Sequence, residues 1–133
     1  MDRFKMTIPG RPEYIQTAKL AVSSIASIGG FDYDTLEDIR IAVGEACKCI
    51  TCHNQVYYSA TYELSAVMGE QALTIKVKDG SPGHQIPKGA ELCRDCPREG
   101  DLAVEIIRSI MDDMEIERND EGMTSIIMTK SRG

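Results

Sequence analysis

Apolar and polar residues alternate along this chain with two periods, and the points where one gives way to the other outline its elements. From Asp34 to His53 (DTLEDIRIAVGEACKCITCH) the period is helical. At about 100° per residue, Leu36, Ile39, Val43, Ala46, Cys47 and Ile50 fall in one apolar sector, the core face. Glu45, Cys49 and Cys52 follow i, i+4, i+7 spacing and form a separate stripe. Asp34 is placed to N-cap this helix, and Glu37, three residues on, completes a capping box.

The same reading extends to both ends. Phe4 to Ile8 predicts a short strand closed by Pro9-Gly10. Pro12 suits a first helical turn, and Ile15, Ala18, Val22 and Ile25 mark the stripe of the helix that follows, stopped at Gly29-Gly30. Val56 to Met68 reads as a strand with Val56, Tyr58, Ala60, Tyr62 and Leu64 on one face. Gly69-Glu70 predicts a hairpin turn, and Leu73, Ile75 and Val77 alternate in the next strand. Residues 79–100 break all periodicity, and a loop of that length suggests a lid or binding loop. Leu102, Ile106 and Ile110 resume helical spacing. Met114 to Glu117 and Met123 to Thr129 read as strands about a turn at residues 119–122. The order β-α-α-β-β-loop-α-β-β predicts an α+β fold. Its form is a two-layer sandwich of a mixed, mostly antiparallel sheet with helices on one face.

Length and charge narrow the function. A chain of 133 residues suits one domain, spanning 1–133. Its net charge of −6, without a Lys/Arg run, disfavours nucleic acid, since neutralising phosphates needs a basic patch. No apolar run is long enough to span a bilayer, and the N-terminal stretch lacks a signal peptide's apolar core. The expected location is the cytoplasm, where cysteines serve as thiols or metal ligands more than as disulfides.

Four of the five cysteines form two C-x-x-C pairs, Cys49/Cys52 and Cys93/Cys96. Four thiolates are what tetrahedral zinc or an iron–sulfur cluster requires. Redox-active thiols and plain buried cysteines are the other readings. Pro97 after Cys96 suits a ferredoxin-type loop, which favours a cluster, whereas zinc would suit a structural clamp. His53 and His84 are alternative ligands. Cys47, on the core side, is left out.

The element order, together with IAVGEACKCITCH, VKDGSPG, REGDLAVEIIRSIMDDMEIE and EGMTSIIMTK, resembles the GHKL ATPase superfamily. Within it the match is to the bacterial anti-sigma-factor serine kinases, over nearly the whole chain. The resemblance implies that Glu45 is the general base for attack on ATP. His53 matches the last position of that helix motif. Cys49 stands where the family has a magnesium-ligating Asn. Asp79 matches the Asp that hydrogen-bonds the adenine amino group. Gly83 matches the second glycine of that box, and Ser81 replaces the first. Arg98-Glu99-Gly100-Asp101-Leu102-Ala103 stands against Arg-Glu-Gly-Gly-Leu-Gly in relatives. Gly100 keeps a close approach of backbone to phosphate, while Asp101 brings a negative charge beside it. The long loop would be the nucleotide lid, facing the helix that carries Cys49, so the two cysteine pairs would converge in the pocket.

The expectation from these substitutions is a regulator that grips a protein partner, a sigma factor or an anti-sigma antagonist. Its ATP site would be replaced by a metal or iron–sulfur site held by Cys49, Cys52, Cys93 and Cys96, and its kinase activity weak or lost. The alternative is an active Mg-ATP-dependent serine kinase acting on an anti-sigma-factor antagonist. A thiol is a poor magnesium ligand, which weighs against it. A third reading is a cluster-holding subunit of a redox complex. Relatives pair through the sheet side, which implies a homodimer.

Overall fold

The computed structural model describes residues 2–50, 61–80, 96–118 and 124–132, with side chains at 96–101 and 118 left aside. The expected order is present: β1 (Asp2–Pro9), a 3-10 turn (Pro12–Tyr14), α1 (Ile15–Ile28), α2 (Tyr33–Cys49), β2 (Thr61–Met68), β3 (Ala72–Asp79), α3 (Cys96–Ile110), β4 (Asp113–Arg118) and β5 (Thr124–Ser131). The strands form one sheet in the order β1-β2-β3-β5-β4, and all four pairings are antiparallel. The expected segments at 51–60, 81–95 and 119–123 lie outside the described residues.

Alternation decides which face of the sheet is covered. Tyr62, Leu64, Ala66 and Met68 on β2, Leu73, Ile75 and Val77 on β3, and Ile126 and Met128 on β5 are buried. They share one core with Ala18, Val22, Ile39, Val43, Ala46, Cys47 and Ile107 from the helices. All three helices therefore cover this face. Each fully buried Leu or Ile there contributes about 1.5–3 kcal/mol of hydrophobic stabilisation. Met111, Met114 and Met128 are buried as well, consistent with methionine as adaptable core filler.

Three boundaries differ from the sequence expectation. The N-cap of α2 is Asp32, not Asp34: its backbone is extended and its side chain accepts a hydrogen bond from the Thr35 amide at 2.8 Å. Asp34 lies inside the first turn, and Glu37 pairs with Arg40 instead of reaching back to a cap. The helix ends at Cys49, with Ile50 as its C-cap. In the third helix the start comes earlier, at Cys96, and the core stripe is one position out of phase. Ala103, Ile107 and Met111 are buried, while Leu102 is 56% exposed. Two i, i+4 apolar sets lie side by side on this helix, and the one led by the small Ala103 faces inward.

No described helix is long and apolar enough to cross a membrane. The other sheet face is mostly polar and unevenly charged, with Glu63 on β2 sitting 3.8 Å from Lys78. Cross-strand rows place Arg3, Lys5, Lys76 and Lys78 toward the β1 side and Asp113, Glu115 and Glu117 on β4.

Candidate nucleotide and partner site

Helix α2 sits between α1 and α3 and also touches β3. Two contacts identify the flank that meets α1. Arg40 Nε donates to Ser23 Oγ at 2.9 Å, and a Cβ on Gly44 would stand 3.4 Å from Lys19 Cδ. Glu45 and Cys49 lie on the other side of the core sector by helical rotation. They therefore border α3, the other helix packed on α2.

The two side chains sense each other. Burial, and after it the Glu45 carboxylate, pushes the Cys49 thiol up to about 11. Cys47 is fully buried, and burial followed by the neighbouring Cys49 pushes its thiol up to about 12. Both are thus neutral thiols near pH 7. Glu45 accepts a hydrogen bond from Lys48 Nζ at 3.2 Å, and its side chain is only 17% exposed. Lys48 did not figure in the sequence expectation, although its i, i+3 spacing from Glu45 is visible there.

Asp79 closes β3 on the covered face, directly across from Tyr62 and in the same row as Ile8. It is 1% exposed and is the only buried charged residue among those described. Burying a carboxylate is costly where an apolar residue would serve. Such a group in a sheet-end position is therefore a candidate functional residue. Among the described residues, no buried side-chain oxygen or nitrogen lacks a partner. Gly80 follows, its amide donating to the Thr61 carbonyl at 2.9 Å. A Cβ at Gly80 would overlap Thr61 Oγ1, so glycine is required here for close approach.

The other expected site residues are placed as follows. Gly100 lies inside α3, four residues past its first residue. Cys96 is that first residue, its side chain not described, and Asp101 falls in the same helix, likewise without a described side chain. Cys52, Cys93, Gly83, Ser81, His53 and His84 lie outside the described residues. The convergence of four cysteines therefore lies outside them too. Among the described residues, no three His, Cys, Asp or Glu side chains cluster as a metal site would require.

Residues 8–130 match the histidine kinase-like ATPase domain. The chain belongs to the histidine kinase-like ATPase family. Within this family it is of the anti-sigma-factor serine kinase type. It is 35% identical over 147 aligned positions to the serine-protein kinase RsbW of Bacillus cereus strain AH187, which covers 98% of this chain and 87% of the relative. The same identity and coverage hold for serine-protein kinase RsbW of Bacillus thuringiensis strain Al Hakam and of Bacillus anthracis strain CDC 684. Glu45 lies on α2 and Asp79 ends β3. Cys49 stands one turn beyond Glu45.

Proposed function

We propose that this protein is an anti-sigma-factor serine kinase that binds a protein partner and transfers phosphate from Mg-ATP to a serine of an anti-sigma antagonist. Its kinship along nearly its full length with serine-protein kinases supports the reaction class. The observation that carries the site is the buried Asp79 at the end of β3, a position suited to accepting a hydrogen bond from the amino group of a purine. Bound Mg-ATP supplies the transferable phosphoryl group and the cation that offsets its charge. Glu45 takes the proton of the attacking serine hydroxyl, and Lys48 holds the carboxylate in place meanwhile. Of the donors present, Asp79 and Glu45 fit this ligand, whereas the neutral Cys49 thiol offers magnesium no oxygen.

That misfit supports a second reading, in which the two C-x-x-C pairs hold zinc or an iron–sulfur cluster and the protein signals through it. One preparation separates them. Protein purified without oxygen is assayed for iron and zinc, for Mg-ATP binding by calorimetry, and for phosphorylation of an antagonist protein. The kinase reading expects saturable ATP binding and phosphotransfer. It also expects Glu45→Gln to abolish phosphotransfer while leaving ATP and partner binding intact, and Asp79→Asn to weaken ATP binding tenfold or more. About one zinc, or about two to four irons, per chain with no ATP binding would overturn it. In that case Cys49→Ser and Cys93→Ser would each release the metal, and Cys47→Ser would not.

A homodimer through the exposed sheet face belongs to the same proposal. A twofold axis along the strands would lay the basic β1 side of one copy over the acidic β4 side of the other. Dissociation by salt in sedimentation experiments tests it.

A further inference from the structure

The second apolar set of α3 is the one the core does not use. Ala103, Ile107 and Met111 face inward, while Leu102 is exposed and Ile106 half-buried. Arg108 shows which way those two point. It lines a small hollow with Met111, Asp113 and Met114 at the start of β4. At about 100° per residue, Leu102 and Ile106 lie on the flank opposite Arg108. They therefore border α2, the helix packed on α3.

The two helices run antiparallel. Arg132 bridges the Gly29 and Gly69 carbonyls, so α2, which starts just after Gly29, begins at the β2–β3 hairpin, the end of the sheet away from Asp79. The Asp112 amide bonds the Thr129 carbonyl, and the Ser131 amide bonds Asp112 Oδ2, so α3 ends there. Ile41 lies eight residues before the last residue of α2, and Leu102 six after the first of α3. At about 1.5 Å per residue, they stand roughly 12 and 9 Å from the helix ends nearer Asp79, at similar heights. Ile41 points away from the sheet by helical rotation and is 42% exposed. With Leu102 and Ile106 it forms one outward strip along the α2–α3 seam. Singly scattered apolar residues are ordinary on a surface, whereas a contiguous strip marks a contact.

The charge beside the strip has one sign. Asp34 and Asp38 precede Ile41 by seven and three residues, and Glu105 follows Leu102 by three, spacings that keep them on the same outward faces. Among the described residues, none of these three carboxylates has an ion-pair partner. The cations nearest along α2 are engaged, Arg40 with Glu37 and Lys48 with Glu45. We propose that this seam docks an amphipathic helix of a partner protein, its aliphatic stripe flanked by Lys and Arg. Two adjacent helices leave a groove into which a third packs. Carboxylates on both sides of the strip complement cations on both sides of the stripe. The same carboxylates repel nucleic acid and anionic lipid.

The test is fluorescence anisotropy on the full chain without nucleotide, using the labelled peptide LKKLLKLLKKLLKL. It is expected to bind saturably, and more weakly as salt rises. Two controls should bind at least about tenfold more weakly: LKKLPKLPKKLLKL, which keeps every lysine but breaks the helix, and the glutamate counterpart LEELLELLEELLEL. Ile41→Gln with Leu102→Gln, both at exposed positions, should weaken binding about tenfold or more with an unchanged melting temperature. Asp38→Lys with Glu105→Lys should invert the preference toward the glutamate peptide. Asp2→Lys with Glu70→Lys makes the same change of net charge at exposed positions elsewhere and should leave affinity within about twofold. Absence of saturable binding, equal affinity for the proline peptide, indifference to the Ile41/Leu102 pair, or equal losses from the two charge reversals would overturn the proposal. Self-association of the chain that the Ile41/Leu102 pair abolishes would give the strip to a second copy and overturn it as well. No arm involves ATP or phosphotransfer, so its failure and that of the kinase reading are separate results.

Discussion

Replacing Gly80 by Ala perturbs the strand end that carries Asp79 while leaving every polar group in place. The added methyl would overlap Thr61 Oγ1 and stand 3.0 Å from both the Cβ and the carbonyl oxygen of Thr61, where ordinary contact begins at 3.4 Å. The nearest atoms belong to a short side chain and to backbone, so relief requires the first residue of β2 to move off. That movement lengthens the 2.9 Å bond from the Gly80 amide to the Thr61 carbonyl. Overpacking of this kind costs about 1–3 kcal/mol, and weakening the bond adds up to about 1 kcal/mol. With a urea slope of about 2 kcal/mol/M, the midpoint should fall by about 1 M. Thr61→Ala removes the overlapping oxygen but not the Cβ, so in the Gly80→Ala background it should return part of the loss. A double-mutant cycle should then show coupling of at least about 0.5 kcal/mol. ATP affinity should fall with stability, because Asp79 is displaced along with its neighbour. A midpoint shift below about 0.2 M, or a cycle that is additive within error, would refute the steric argument.

Three other outcomes are expected. Asp32→Ala should destabilise the protein at neutral pH. The hydrogen bond from Thr35 holds the Asp32 carboxyl below its ordinary value, so its contribution is present above the unfolded-state pKa and fades as pH falls through the lower folded-state value. The gap between variant and parent should therefore close in acid, as followed by thermal melts across pH. Ile107→Ala, at a fully buried position facing the sheet, should cost about 2–5 kcal/mol in denaturant titrations. Cys47→Ser places a hydroxyl where the thiol is fully buried and should cost about 1–3 kcal/mol, with ATP affinity in the folded protein unchanged.

Much of this architecture is readable from periodicity alone. The core sector of α2 is repeated at six positions from Leu36 to Ile50, and no other phase accommodates them. The strands of the β2–β3 hairpin announce themselves by alternation. What periodicity cannot decide is a contest between near-equal candidates. Asp32 and Asp34 are both competent caps, and the backbone path after Gly30, whose φ is +87°, selects the former. On α3, Leu102/Ile106/Ile110 and Ala103/Ile107/Met111 satisfy the same spacing, and packing against α2 selects the set with the smaller residue. The stripe of Glu45 and Cys49 was legible because it is local. The burial of Asp79, the closeness of Thr61 to Gly80 and the tie made by Arg132 were not, since each joins segments distant in sequence. The pairing of the two cysteine motifs is a tertiary question of the same kind.

Arg132 ties the end of α1 to the β2–β3 hairpin, its guanidinium donating to the Gly29 carbonyl at 2.8 Å and to the Gly69 carbonyl at 3.0 Å. Asp2 and Arg132 line the same open cleft, so residues 2 and 132 lie together at one pole of the sheet, away from Asp79. A fluorescent or affinity module attached at either residue would crowd that pole and leave the strand-end carboxylate at the opposite pole clear. A reporter attached there would register events at the far pole only if the sheet itself relays them.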